Sequence, residues 1–450
     1  MSLERIFSEI DGQFDRYVTE LQEFCRKPSI AAQNLGMEEA AEHLRARMEA
    51  AGIQARLIPV PGGFPVVYGE MKGKSDRTLL FYNHYDVQPP EPLELWDSPP
   101  FAAEIRGGAI YARGVSDNKG NAMARIQAVE AFLRTRGELP VTVKFVVEGE
   151  EEIGSPHLPR FVEENRELLK AEAGIWEAGY KDYQGRPTVS LGVKGICYLE
   201  LEARGARQDL HSAMATIVPN PAWRLIWALS TFKNEREEIL IDGFYDDVVE
   251  PTAEELAVLR DLPQDDEVMR RELGIDSFVL GLSGLELKIK HLLKPTCNIC
   301  GFGSGYTGEG QKTVLPARAM AKVDFRLVPN QDPADIEKKV RAHLHKHGFG
   351  DITVRAYSNE HPARTPLNSP IVKVIKESAQ LVYGQPPVIY PTMAGSGPMP
   401  LFVRDLGIPM ASIGVGHSGS ANHAPNENIR LEDYRQGIKM IAAVIDGFAR

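Results

Sequence analysis

Apolar residues recur at helical spacing along the first segment. Ile6, Ile10, Phe14, Val18, Leu21 and Phe24 fall on one face between Leu3 and Arg26, so an amphipathic helix is predicted there. A second such pattern covers Met37–Ala51 and stops at Gly52, a residue that tolerates the left-handed turn ending a helix. The period then changes. Gln54–Val60, Pro65–Met71 and Thr78–Asn83 are apolar runs of strand length, and "GGAIYARG" reads as a turn and a short strand. Asn118–Arg136 reads as a helix, Val141–Val147 as a buried strand, Pro156–Leu169 as a polar helix and Ala173–Trp176 as a strand. Strands alternating with helices predict an α/β domain of three layers around a mostly parallel sheet.

Near Gly192 the rhythm shifts. "GICYLELEARG" alternates like a half-exposed strand, Pro219–Thr231 reads as a helix, and an acidic, helix-prone segment runs on to Gly274. "ARAMAKVDFRLVP" is a strand, Asp335–His347 a helix and "DITVRAY" a strand. This order predicts a small α+β domain with one sheet face covered and one edge free for pairing. After Pro366 the earlier rhythm returns, with a helix at Ser369–Tyr383, strands at Val388–Tyr390 and Pro409–Ile413, and a last helix at Leu431–Phe448. Residues 193–358 therefore read as an insertion into a domain built from 1–192 and 359–450. There is no internal repeat and no low-complexity linker.

A chain of 450 residues, 43% hydrophobic and 25% charged, has the material for two cores. Its net charge of −11 argues against a general nucleic-acid or anionic-membrane surface, although a local basic pocket stays open. No run approaches the ~18 apolar residues of a membrane span, and the charged, amphipathic start lacks the basic n-region of a signal peptide. A cytoplasmic location is the expectation. Cys25, Cys197, Cys297 and Cys300 are too few and too scattered for a disulfide framework, and the single C-x-x-C has no second pair near it to make a zinc knuckle. They read as reduced thiols.

The chemistry concentrates at strand ends. "TLLFYNHYDVQPP" begins as a buried strand and ends on His84 and Asp86. Asp117 lies in a loop opening a helix, Glu150, Glu151 and Glu152 follow the Val141–Val147 strand, Glu177 follows Trp176, and His423 precedes the last helix. Ligands of open α/β sheets sit at the carboxyl ends of the strands. Each residue alone also reads as a strand terminus, a helix cap or a solvated turn; it is their joint placement that points to a site. Two histidines and three carboxylates can hold two divalent ions, with zinc favoured and cobalt or manganese possible. A carboxylate held beside the ions can take a proton from water, and the acidic triplet offers both a ligand and such a base. "GSGYTG" lacks the following helix of a dinucleotide loop, and "GHSGS" falls one residue short of a serine-nucleophile elbow.

"HYDVQPP", "WDSPPF", "GAIYARGVSDNKG", "EGEEEIGS", "LGVKGICYLELEARG", "DLHSA", "VDFRLVPNQ" and "NHAPNE" occur in that order over nearly the whole chain. In this the chain resembles the di-zinc exopeptidase and aminoacylase family that includes carnosinase-like cytosolic dipeptidases, glutamate carboxypeptidase and succinyl-diaminopimelate desuccinylase. The resemblance implies that His84, Asp117 and Glu177 bind one ion and that Asp117, Glu152 and His423 bind the other. Glu151 would be the general base and Asp86 the acid orienting His84. His211 would stabilise the oxyanion from a partner subunit, and Arg326 would bind the substrate carboxylate with a planar fork suited to two oxygens. Asn298 and Ser396 are further substrate contacts. The insertion would be a ferredoxin-like lid and dimerisation domain, making the protein a homodimer. The implied reaction is metal-dependent hydrolysis of an amide in a dipeptide or small peptide with a free carboxylate.

Two departures open an alternative. Such dipeptidases usually carry aspartate where Glu177 stands, and Arg-Glu-Gly-Gly-Ser where this chain has "TMAGS", Thr392–Ser396. Met393 in place of the acid that would hold a free α-amine points to a deacylase or carboxypeptidase acting on N-acyl-amino acids.

Overall fold

Every residue of the Thr78–His84 strand after Thr78 is buried, and so is every residue of Ala173–Trp176. Strands lose both faces to the interior only when both faces of their sheet are covered, and this identifies the centre of the fold. The computed structural model describes residues 3–450. It places these strands in an eight-stranded sheet of order Gln54–Ile58, Val66–Met71, Thr142–Glu148, Thr78–His84, Ala173–Trp176, Met410–Ser412, Thr188–Ser190, Val388–Tyr390. The four strands from Thr142–Glu148 to Met410–Ser412 are mutually parallel. The outer pair from Gln54 to Met71 runs antiparallel.

The chain divides into two compact units. The first comprises the residues up to Gly192, Thr365–Pro391 and Leu401–Arg450; the second comprises Val193–Arg364 and Thr392–Pro400. The chain thus returns to the first unit at Thr365, later than residue 359. Thr392–Pro400 goes with the second unit because the Lys194 amide donates to the Gly395 carbonyl at 2.8 Å and Arg326 Nη1 donates to Ser396 Oγ at 2.8 Å.

In the first unit, Leu3–Cys25 buries Ile6, Ile10, Phe14, Val18, Leu21 and Phe24, together with Tyr17. Each such side chain contributes about 1.5–3 kcal/mol of transfer free energy. This helix, Gly120–Arg136 and Leu431–Phe448 pack on one another. The polar stretch after residue 156 forms two helices, Leu158–Glu164 and Arg166–Leu169, broken at Asn165, whose side chain donates to the Phe161 carbonyl at 2.9 Å. The helix expected from Asn118 begins at Gly120, and Val115–Lys119 forms a wide helical turn ahead of it with Asp117 outside helical geometry.

The second unit holds a four-stranded antiparallel sheet of order Thr296–Ser304, Arg318–Leu327, Gly195–Arg204, Thr353–Glu360. With Pro221–Leu229 after the first strand in sequence and Pro333–Lys346 after the third, this is the ferredoxin-like arrangement. Cys197, Leu199, Leu201 and Ala203 alternate inward to meet Ala321, Val323 and Phe325 in one core. The Thr296–Ser304 strand was not evident in the sequence. Gly301 and Gly303 weaken its strand character, and a register shift between Ile299 and Gly301 breaks its alternation. Among the described residues no helix is long and apolar enough to cross a membrane.

Candidate metal centre

Parallel pairing sets up one rim. The Thr78–His84 strand runs beside Thr142–Glu148 with His84 opposite Glu148, and beside Ala173–Trp176 with Phe81 opposite Ile175. The carboxyl ends of all three strands therefore lie together. His84 ends the first, the Glu150–Glu152 turn follows the second, and Glu177 follows the third. Gly149 leads into the acidic turn, where a Cβ would run into the Tyr85 ring. His423 (φ 59°) comes from the loop before Leu431–Phe448.

These loops bring five side chains into contact. His84 Nε2 lies 3.1 Å from Asp117 Oδ1 and 3.7 Å from Glu177 Oε1. His423 Nε2 lies 3.3 Å from Asp117 Oδ2 and 3.2 Å from Glu152 Oε2. Asp117 thus presents one oxygen to each histidine. Ligand atoms of His84, Asp117 and Glu152 all fall within 4.8 Å of one another. Glu152 Oε1 is buried without a hydrogen-bond partner, which is costly for a carboxylate oxygen unless a cation meets it.

Asp86 does more than expected. Its main-chain carbonyl is the nearer partner of His84 Nδ1, at 3.0 Å, with its carboxylate at 3.4 Å. The carboxylate itself accepts from the amides of Glu151 at 3.2 Å and Glu152 at 2.9 Å. One residue thereby fixes both the imidazole and the acidic turn.

The electrostatics call for positive charge. Burial, followed by the Glu177 carboxylate, pushes Glu151 well above the usual carboxylate range. Burial also raises Glu177, and His84 only partly offsets it. Burial acts to raise Asp117 too, but hydrogen bonds from His423 and His84 more than reverse this and leave it low. Burial disfavours the charged form of His84, yet Asp117, Asp86 and Glu177 together hold it well above its ordinary value. His423 is raised to about 10 by Asp117 and Glu152. A cation between these groups, proton or metal, is favoured. Two imidazoles and three carboxylates are the donor set that suits a borderline divalent ion.

Several supporting residues escaped the sequence reading. Glu427, fully buried, accepts from Arg113 Nη1 and from the amides of Gly114, Ser116 and Asp117 at 2.8–3.0 Å. It ties the His423 loop to the Asp117 turn. Asn422 Nδ2 donates to Asp117 Oδ2 at 3.1 Å and to Tyr180 at 2.7 Å. Arg125 Nη2 donates to the carbonyls of Trp176 and Glu177 at 3.0 and 2.8 Å. For Arg125 alone there was a local signal, a charge set among Ala122, Met123, Ala124, Ile126, Ala128 and Val129.

The other predicted residues lie in the second unit. Arg326 Nη1 meets Ser396, and its Nε lies 3.3 Å from Asp324; Asn298 Nδ2 donates to the same Asp324 at 2.9 Å. His211 is exposed and caps the Ser212–Thr216 turn, its Nδ1 accepting from the Ala213 amide at 3.1 Å. Among the described hydrogen bonds it is joined to none of those three.

The sequence model described as Peptidase family M20/M25/M40 matches residues 80–447. The chain is 28% identical over 476 residues to the Cys-Gly metallodipeptidase dug1 of Schizosaccharomyces pombe, covering 100% of this chain and 99% of that one. Among solved structures it is similar to an M20 family metallo-carboxypeptidase, Sso-CP2, from Sulfolobus solfataricus, at 44% identity and a TM-score of 0.91 over 96% of this chain and 99% of that one. Human carnosine dipeptidase 1 matches at 26% identity and a TM-score of 0.78 over the full length of both chains.

Proposed function

The chain belongs to peptidase family M20/M25/M40, a hydrolase family, and from that premise we propose how it hydrolyses its substrate and what that substrate is. The reaction is cleavage of the amide bond in a dipeptide or small peptide bearing a free carboxylate. What supports this most is Asp117, one carboxylate facing an imidazole from each side. His84, Asp117 and Glu177 would hold one divalent ion, and Asp117, Glu152 and His423 the other, with zinc preferred and cobalt or manganese able to substitute. When bound, such ions polarise a carbonyl and acidify a water. Glu151, anchored through its amide to Asp86, takes the proton from the attacking water and delivers it to the departing amine. Asp86 fixes the ring of His84. Arg326, Asn298 and Ser396 receive the substrate's free carboxylate end, and His211, supplied by a partner subunit, steadies the developing oxyanion.

The similarity to a metallo-carboxypeptidase at 44% identity favours a second reading, in which the C-terminal residue is removed from longer peptides or N-acyl-amino acids; Met393 fits this better than an acid would. A substrate panel separates the two. Dipeptides, N-acetyl, N-succinyl and N-carbamoyl amino acids and longer peptides are assayed after EDTA treatment and reloading with each metal. Rapid cleavage of free dipeptides alone supports the first reading. Cleavage of acylated substrates at equal or greater rate supports the second. Activity that survives EDTA contradicts both.

For the dimer, support comes from the Thr296–Ser304 edge strand, where Ile299 and Phe302 are 52% and 45% exposed, and from Trp223 and Trp227, 55% and 56% exposed and stacked on the Pro221–Leu229 helix. An unpaired edge and an apolar helix face are what a second copy would cover. Sedimentation of wild type against Trp223→Glu tests this. Four free cysteines fit the reducing cytoplasm, a placement that cell fractionation checks.

A further inference from the structure

The second unit's sheet carries a buried acid that the proposed hydrolysis does not use. Tyr198, Thr296, Asn298, Cys300, Asp324 and Arg326 line a pocket of about 580 Å³. Asp324, 6% exposed, lies beneath it and accepts on Oδ1 from Asn298 Nδ2 at 2.9 Å and from Cys300 Sγ at 3.0 Å. Its Oδ2 lies 3.3 Å from Arg326 Nε. Partial desolvation, and then Asp324 itself, raise the Cys300 thiol, in keeping with a sulfur that donates to the carboxylate.

A carboxylate in the wall of a pocket that receives a carboxylate is at first sight misplaced, because like charges repel. Its Oδ1 already accepts from Asn298 and Cys300, however, its Oδ2 is ion-paired with Arg326, and what it returns is orientation. A long, flexible arginine side chain loses rotamer freedom when a ligand fixes it. With Nε ion-paired to Asp324 and Nη1 donating to Ser396, the Arg326 guanidinium is held at two points, and the outer N–H donors not turned to Ser396 are left for a ligand. A planar fork binds two oxygens well only when its plane is fixed in advance.

We propose that Asp324 is a positioning residue that holds Arg326 in the orientation receiving a free C-terminal carboxylate, and thereby sets the preference for substrates with an unblocked C-terminus. This rests on the reading of Arg326 given above. The test uses a cleaved dipeptide and its C-terminal amide with wild type, D324N, R326A and the double variant, following kcat and KM separately. D324N is expected to raise KM for the free acid by about 10-fold, to leave its kcat within about 3-fold, and to leave the amide unchanged. In the R326A background the same substitution should add nothing. A D324N enzyme that keeps the wild-type acid-to-amide preference, or loses both substrates equally, overturns the proposal. So does an effect that persists undiminished in R326A. Should D324N fail to fold by thermal melting, Cys300→Ala, which loosens Asp324 from the exposed side, should lower the acid-to-amide preference a few-fold; an unchanged preference there also overturns it. If the wild-type enzyme itself ignores the difference between acid and amide, it is the carboxylate-binding role of Arg326 that falls, and this proposal with it.

Discussion

Glu427→Gln tests whether the candidate centre is held by the residue that joins its two loops. Glu427 and Arg113 are both fully buried. Oε2 accepts from Arg113 Nη1 and the Gly114 amide, both at 2.8 Å; Oε1 accepts from the Ser116 and Asp117 amides at 2.9 and 3.0 Å. A glutamine turns one of these oxygens into an NH2 group, so two accepted bonds vanish and two donors face a third. Arg113 also loses its buried counter-charge, and removing one partner of such a pair costs about 3–5 kcal/mol. The glutamine's carbonyl oxygen should stay with the charged Arg113, which sets the NH2 group against the Ser116 and Asp117 amides; the main chain that carries the Asp117 carboxylate then loses its anchor, and metal affinity should fall by about 10–100-fold. Urea unfolding of the metal-free protein measures the first quantity, and calorimetric zinc titration the second. Adding Arg113→Met should recover part of the stability, since it removes the stranded charge, without restoring the metal affinity. An E427Q protein within about 0.5 kcal/mol of wild type, or one binding zinc equally well, would refute the assignment.

Glu151→Gln should leave metal content unchanged by elemental analysis while lowering kcat by about 10²–10⁴-fold; near-normal turnover would mean that another group takes the proton. Of the four cysteines, Cys300 is exposed and Cys25, Cys197 and Cys297 are buried, with burial pushing each of those three thiols up to about 12. A maleimide should therefore label one thiol in the native protein and four in urea, mass spectrometry giving the count; rapid native labelling of Cys197 would contradict the burial of that strand face. Lys194 donates to the carbonyls of His291 and Lys294 at 2.8 and 2.6 Å, and burial, followed by the charges of Arg326, Lys290 and Arg364, lowers it to about 8. Above pH 8 the folded state has released this proton while the unfolded chain keeps it up to about 10.5, so this group's contribution to stability rises with pH across that window, by up to about 3 kcal/mol. Lys194→Met should flatten that part of the stability profile relative to wild type in denaturant titrations; parallel profiles would show the lysine is not depressed.

How much of this could be read from the chain depends on where each residue finds its partner. The Leu3–Cys25 helix was legible because its six spaced apolar residues are themselves the buried face. The Thr296–Ser304 strand was not, since two glycines and a bulge erase the alternation that marks a strand. His84, Glu151, Glu152 and Glu177 follow apolar strand-like runs, and Asp117 and His423 lie in loops; it was their joint placement, together with the family motifs, that singled out all six. Arg125 and Asn422 did not, because they act on main-chain carbonyls and a carboxylate far away in sequence, and no local spacing records such a contact. Asp86 was legible as a partner of His84. Its second task, holding the Glu151 and Glu152 amides, needed the parallel pairing that sets those two strand ends side by side.

In the proposed centre Asp117 stands between two metal ions, with an imidazole facing each of its oxygens. Crystals of the protein loaded with zinc, measured above and below the zinc absorption edge, test it most directly. Two anomalous peaks are expected, one bounded by His84, Asp117 and Glu177 and the other by Asp117, Glu152 and His423. A single peak, or peaks that do not share Asp117, would contradict it.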